Sequence, residues 1–161
     1  MPRRSAWFGL AAVIVIVDQL VKWAVLAVFA PGERVALTSF LNLVLVFNKG
    51  AAFSFLAGAP GWQTPLFIAV AAVAIVVVSV LLVRSTDDRI VCAGLALILG
   101  GALGNLIDRL RYGQVVDFLD FHAFGWHWPA FNVADSAITI GAALLIFESL
   151  LHRGGDGERG R

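Results

Sequence analysis

Charged side chains are scarce in this sequence: Asp, Glu, Lys and Arg make up 14% of 161 residues, and hydrophobic types make up 60%. That balance excludes an ordinary soluble domain, and the length excludes several independent ones, which leaves a single membrane-embedded unit. An excess of either charge sign is also missing, since the formal net charge is +1. The basic residues form no run or patch able to track a phosphate backbone, so a nucleic-acid partner is not expected. Cysteine occurs once, at Cys92, and no intrachain disulfide can form. Its apolar neighbours point to a packed, inert thiol.

What the chain does have is long hydrophobic runs, at about residues 6–30, 64–83, 90–110 and 132–151. Each is near the ~20 residues of helix that cross a hydrocarbon core, and backbone groups in lipid must be satisfied internally, which selects helix. The first run follows Arg3 and Arg4 like a secretory leader. It is longer than a leader's apolar core, Asp18 and Lys22 interrupt it, and Pro31 makes a poor cleavage position, so an uncleaved helix is expected. The polar stretch 84–89 is short enough to join the second and third helices as an antiparallel hairpin. The Gly-rich, charged tail at 152–161 is expected to be disordered.

Arg3, Arg4, Arg84, Arg89, Arg153, Arg159 and Arg161 fall on one side of these spans, against Arg34, Lys49, Arg109 and Arg111 on the other. By the excess of cytoplasmic Lys and Arg, both termini are expected in the cytoplasm, with the connections 31–63 and 111–131 outside. Residues 35–47 are rich in β-branched and aromatic types but too short to span, which suggests strand or interfacial structure. Residues 48–53 read as a turn and 53–56 as a second short apolar piece, so a small sheet or hairpin on the outer surface is expected.

The ionisable and amide side chains within the apolar runs cluster at one depth. Asp18 and Lys22 sit one turn apart in the outer half of the first helix, in the order that favours an ion pair. Asn105, Asp108 and Arg109 lie at the outer end of the third, and Asn132 and Asp135 at the outer start of the fourth. A charge near the bilayer centre costs on the order of a few kcal/mol unless paired or wetted, so such a layer marks a site. Gly100, Gly101 and Gly104 fit a close helix-packing face. The second helix offers nothing comparable and reads as scaffold.

Asp117 and Asp135 are the sharper pair, 18 residues apart and both at the outer boundary. Two carboxylates held together tend to share one proton, which is the arrangement of an aspartic-protease dyad. The ionised member takes a proton from water as it attacks a peptide carbonyl, and its protonated partner supports the oxyanion; no metal or cofactor is required. Taken singly, Asp135 could be a first-turn carboxylate favoured by the helix dipole and Asp117 an exposed loop acid. Asp18 with Lys22, and Asn105 with Asp108 and Arg109, fit structural roles better than acid–base ones, although Asn105 could hold a substrate carbonyl and Lys22 could attract a lipid phosphate.

Three other readings compete with this one. His122 and His127 near Asp117 and Asp120 suggest a metal site, but no HExxH or CxxC pattern accompanies them, and Phe121, Phe124, Trp126 and Trp128 suit an interfacial aromatic belt. A small transporter or channel would need polar groups through the inner half of the helices, which reads as apolar apart from Ser and Thr. A pure scaffold would not require two acids at a wet interface.

In order along the chain, Asp18-Gln19-x-x-Lys22, Asn48-x-Gly50-Ala51-Ala52-Phe53, Gly101-x-x-Gly104-Asn105-x-x-Asp108-Arg109, Val116-Asp117-Phe118 and Phe131-Asn132-x-Ala134-Asp135 closely resemble the bacterial lipoprotein signal peptidases, or signal peptidase II, of membrane aspartyl peptidase family A8. The resemblance covers nearly the whole chain and implies an all-α membrane protein, residues 1–161 forming one domain. It implies four transmembrane helices, a small extracytoplasmic β-cradle and a second extracytoplasmic loop or helix. It further implies an endopeptidase of the bacterial cytoplasmic membrane that cuts prolipoproteins just before a diacylglyceryl-modified cysteine. Asp117 and Asp135 then match the catalytic dyad, and Asp18, Lys22, Asn48, Asn105, Asp108, Arg109, Asn132 and Ala134 match motif positions that bind substrate or support the site. The implied partners are the lipid-modified substrate and membrane lipids, with the enzyme acting as a monomer.

Overall fold

The computed structural model describes residues 4–50, 61–84 and 88–156. Its elements in chain order are helix α1 (Arg4–Val28), strands β1 (Arg34–Ala36) and β2 (Leu41–Asn48), helices α2 (Gln63–Arg84) and α3 (Arg89–Tyr112), strands β3 (Val115–Ala123) and β4 (Trp126–His127), and helix α4 (Val133–Asp156). All four helices are long and apolar enough to cross a membrane. The short apolar piece expected at 53–56 and residues 157–161 of the tail lie outside the described residues.

Helix α3 is the hub, packing against α1, α2 and α4. Its apolar window is 56% buried against 11% for α2, which leaves most of α2 facing outward. Asp88 caps the start of α3 by accepting hydrogen bonds from the amides of Ile90 and Val91 at 2.8 and 3.1 Å, satisfying two otherwise orphaned donors. Ala11, Val78, Leu82, Cys92, Leu95 and Leu99 form one apolar core between α1, α2 and α3, with Cys92 packed as expected.

The glycines do allow close approach. A Cβ on Gly94 would lie 2.9 Å from the Gly141 carbonyl oxygen, and one on Gly141 would lie 2.6 Å from that of Gly94. Gly100 faces Ala11 on α1, and Gly101 faces Ala134 on α4. In lipid no bulk hydrophobic force holds helices together, so these contacts carry much of the association.

Two departures from expectation concern the sheet and the tail. The sheet has four antiparallel strands in the order β1-β2-β3-β4, so the second connection, expected as a loop or helix, supplies half of it. Its segment Val-Val-Asp-Phe-Leu-Asp-Phe-His-Ala is rich in β-branched and aromatic types, and β2 gives it a pairing edge. Helix α4 continues to Asp156, past the expected end near 151, because backbone hydrogen bonding does not stop where the apolar run does. A register shift between Leu43 and Val46 marks a bulge in β2 opposite β3. The bulge puts the consecutive residues Val44 and Leu45 both in the interior, and Leu45 joins Val25, Val116 and Phe118 in a second core that seats the sheet on α1.

Because a backbone oxygen cannot yield as a flexible side chain can, Gly141→Ala is expected to lower stability by about 1–3 kcal/mol. Gly9→Ala, where a Cβ meets nothing within 4 Å, is expected to be neutral or stabilising by up to ~1 kcal/mol. Thermal unfolding in detergent measures both, and equal effects would contradict the close-packing assignment.

Candidate active site

Lys22 and Asp18, one turn apart on α1, turn toward α3 and away from the surroundings, since neither charge is tolerable in lipid unpaired. The Lys22 ammonium lies 2.8 Å from Asp18 Oδ2 and 2.7 Å from Asp108 Oδ2. Its remaining donor reaches Asn105 Oδ1 at 3.1 Å. Asp18 and Asp108 are 0% exposed and Lys22 is 2%. The Gln19 amide adds donors, to Asp108 Oδ1 at 2.9 Å and Asp18 Oδ2 at 3.3 Å. A Cβ at Gly104 would fall 2.6 Å from Asp18 Oδ2, so glycine there is what lets α1 bring its carboxylate against α3.

Both carboxylates also hold backbone, Asp18 with its other oxygen and Asp108 with the same Oδ2 that meets Lys22. Asp18 Oδ1 accepts the Ala134 amide proton at 2.9 Å, and Asp108 Oδ2 accepts that of Val116 at 3.0 Å. Ala134 belongs to the first turn of α4, where backbone donors have no intrahelical partner and a negative charge is favoured. Asn132 caps the same turn, its Oδ1 accepting from the Asp135 amide at 2.9 Å.

Asp117 and Asp135 are joined through two amides. Asn132 Nδ2 donates to Asp117 Oδ1 at 2.7 Å, and Asn48 Nδ2 donates to Asp117 Oδ2 at 3.0 Å. Asn105 Nδ2 donates to Asp135 Oδ1 at 2.7 Å while its Oδ1 accepts from Asn132 Nδ2 at 3.2 Å. Both ends of the Asn105 amide are thus engaged inside the cluster, which makes it a bridge between side chains rather than a group waiting for a carbonyl. Asp117 is 1% exposed, on a strand buried on both faces here, and burial pushes its carboxyl up from 3.8 to about 7. Neighbouring Asp135 pushes the same way, against the amides of Asn48 and Asn132 and the Lys22 ammonium.

Each acid also borders a cavity. One of about 500 Å³ is lined by Asp135, Ser136, Thr139 and Ile140 of α4 and by Phe121, Trp126, Trp128 and Phe131. Another of about 350 Å³ is lined by Asp117, Val46, Phe47, Asn48, Lys49, Pro129 and Ala130. The aromatic wall is built by stacking, Phe121 lying between Phe40 and Phe131 with ring centroids 6.3 and 5.6 Å away.

Nine of the ten expected residues meet in this network. Ala134 takes part through its amide, and Arg109 stands at the edge. The Arg109 guanidinium lies over the Phe67 ring at 5.3 Å and donates to the Asn105 carbonyl at 3.4 Å. Among the described residues it forms no ion pair, and the adjacent Asp108 points inward to Lys22. Helix α2 is therefore more than scaffold, since Phe67 seats this arginine.

The histidine rival divides. His127 Nδ1 is 2.9 Å from Asp120 Oδ1, Asn42 Nδ2 donates to Asp120 Oδ2 at 2.9 Å, and Arg34 lies 3.4 Å from Asp120 Oδ2. Burial works to raise the Asp120 carboxyl, and these partners outweigh it and hold it low. Asp117 belongs to the separate amide network, so the four residues do not converge. Gln19 lies outside the expected site yet touches both buried carboxylates, and its position beside Asp18 is the signal for it in the sequence. Glu148, 7% exposed near the far end of α4, corrects the expectation that only Ser and Thr interrupt that half.

Residues 10–151 match the model of the signal peptidase (SPase) II family. The chain is 58% identical to the lipoprotein signal peptidases of Paraburkholderia phymatum and Burkholderia multivorans, covering 91% of this chain and 88% of each relative. It is 56% identical to that of Janthinobacterium sp., over 89% of this chain and 87% of the relative. Two solved structures described as bacterial membrane enzymes superpose with TM-scores of 0.82 and 0.80, at 30% and 31% identity. They cover 98% and 91% of this chain and are themselves covered to 92% and 93%. With its four apolar helices, this multi-pass membrane protein belongs to the signal peptidase II family of proteases.

Proposed function

We propose that the chain is an aspartic endopeptidase that removes signal peptides from prolipoproteins, hydrolysing the bond just before a diacylglyceryl-modified cysteine, with Asp117 and Asp135 as the reacting pair. The observation that carries this reading is the Asn132 side chain, which bonds the Asp117 carboxylate with Nδ2 and caps the Asp135 amide with Oδ1. One residue thereby ties two acids from different elements together, and each acid borders open space.

In the proposed reaction, the ionised aspartate accepts a proton from water, whose oxygen forms the bond to the peptide carbonyl carbon. The protonated partner donates to the carbonyl oxygen as charge develops. Collapse of the tetrahedral species breaks the C–N bond, and a proton passes to the leaving amine. Asn48, Asn105 and Asn132 hold the carboxylate planes through this cycle. The substrate reaches the acids laterally, along the α4 face where Ile140 is 54% exposed and Ser136 and Thr139 line the larger cavity. Burial of acyl chains contributes about 0.8 kcal/mol per CH₂, enough for the lipid group to help hold the substrate. The pair works at the extracytoplasmic face of the bacterial cytoplasmic membrane with both termini in the cytoplasm, an orientation that Arg84 and Arg89 at the opposite helix ends support. The enzyme acts as a monomer.

Cleavage of a lipid-modified preprotein is expected to fall by at least about 10³-fold in Asp117→Asn and in Asp135→Asn. Near-normal turnover by either variant would remove the pair from the chemistry. A chelator is expected to leave the wild-type rate unchanged, and strong inhibition would restore a metal to consideration.

Asp117 also makes stability depend on pH. Its carboxyl ionises near 3.8 unfolded and about 7 folded, so folding favours the protonated form. That contribution is complete below about pH 4 and is lost as pH rises through about 7. The thermal midpoint of Asp117→Asn minus that of wild type should therefore be more positive at about pH 8 than at about pH 4. A pH-independent difference would contradict the buried, reluctantly ionised carboxyl.

A further inference from the structure

We infer that Lys22 is the positioning residue that sets the placement of Asp117 relative to Asp135, acting through two carboxylates that each hold the backbone amide immediately preceding one of the two acids. The inference rests on the proposed reacting pair and goes beyond it. The residue before Asp135 is Ala134, whose amide donates to Asp18; the residue before Asp117 is Val116, whose amide donates to Asp108. Asp18 and Asp108 converge on the single Lys22 ammonium, at 2.8 and 2.7 Å. Asp135 starts a helix and Asp117 rides a strand, so no shared element fixes their separation. The path from one backbone to the other runs amide, carboxylate, ammonium, carboxylate, amide.

An ammonium has three protons, and the third is used in the same sense. It points at Asn105 Oδ1, which fixes the amide with Nδ2 toward Asp135 Oδ1 at 2.7 Å. A positive charge on that oxygen forbids the flipped amide, which would turn NH₂ toward an ammonium. Lys22 thus constrains both backbones and one of the bridging side chains while touching neither reacting carboxylate within bonding distance. Ordinary structural pairing would need only the α1–α3 contact between Asp18, Lys22 and Asp108; it does not explain why both carboxylates extend to the amides flanking the acids.

The test compares Lys22→Met with the triple variant Lys22→Met/Asp18→Asn/Asp108→Asn, whose amide oxygens can still accept the two backbone protons without leaving a buried charge unpaired. Each is purified in detergent, checked for a cooperative thermal transition, and assayed on a lipid-modified peptide beside Asp117→Asn. A misplacement of about 1 Å costs on the order of 10²-fold, so kcat should fall by about that factor in a folded variant, with KM within about threefold of wild type. In Lys22→Met the alkaline limb of kcat should also move to higher pH, because the Lys22 charge holds the Asp117 carboxyl down. The inference is overturned by kcat within about threefold of wild type in a folded variant, by a loss confined to KM, or by an unshifted limb. It is also overturned if neither variant folds, since the cluster would then be a folding element. Retained turnover in Asp117→Asn would instead sink the proposed pair, so the two failures are distinguishable.

Discussion

One buried ammonium organises the interior. Lys22 sits between Asp18 and Asp108 at 2% exposure or less, and leaving any one of the three uncompensated would cost about 3–5 kcal/mol. That energy obliges α1 and α3 to meet at one register, and the meeting needs Gly104 opposite Asp18. Through the Ala134 amide, α4 is drawn to the same point. Glycines along α3 extend the close approach away from the cluster, while α2 attaches more loosely and contributes Phe67 beneath Arg109.

The same economy shapes the reacting region. Carboxylates removed from water must be bonded, and here the donors are amides and backbone N–H groups, which stabilise charge without themselves taking up or releasing protons. Asn48, Asn105 and Asn132 hold Asp117 and Asp135 in place and leave open space beside each. An apolar groove along α4 and a more polar hollow between β2 and β3 flank the proposed pair. A substrate with an acylated cysteine and a polypeptide on either side of its cleavage bond has use for both.

Much of this was legible because charge is costly in an apolar chain. Every ionisable residue placed in the outer layer from sequence enters the network or borders it, since lipid leaves them no alternative. Connections between distant residues were less visible. That Asp18 serves an amide 116 residues away, or that Asp108 holds Val116, follows from three-dimensional packing that helical periodicity does not encode. Strand β3 was missed because sheet pairing is non-local: its partner β2 precedes it by two whole helices.

The pH dependence of kcat on a lipid-modified peptide tests the central claim most directly, namely that two acids from separate elements are held together and dry enough to share a proton. Burial and the neighbouring Asp135 place the Asp117 carboxyl at about 7, so the shared proton is lost and the rate should fall on the alkaline side with a midpoint near that value. A midpoint near 4, the ordinary range of a solvated carboxylate, would contradict the claim.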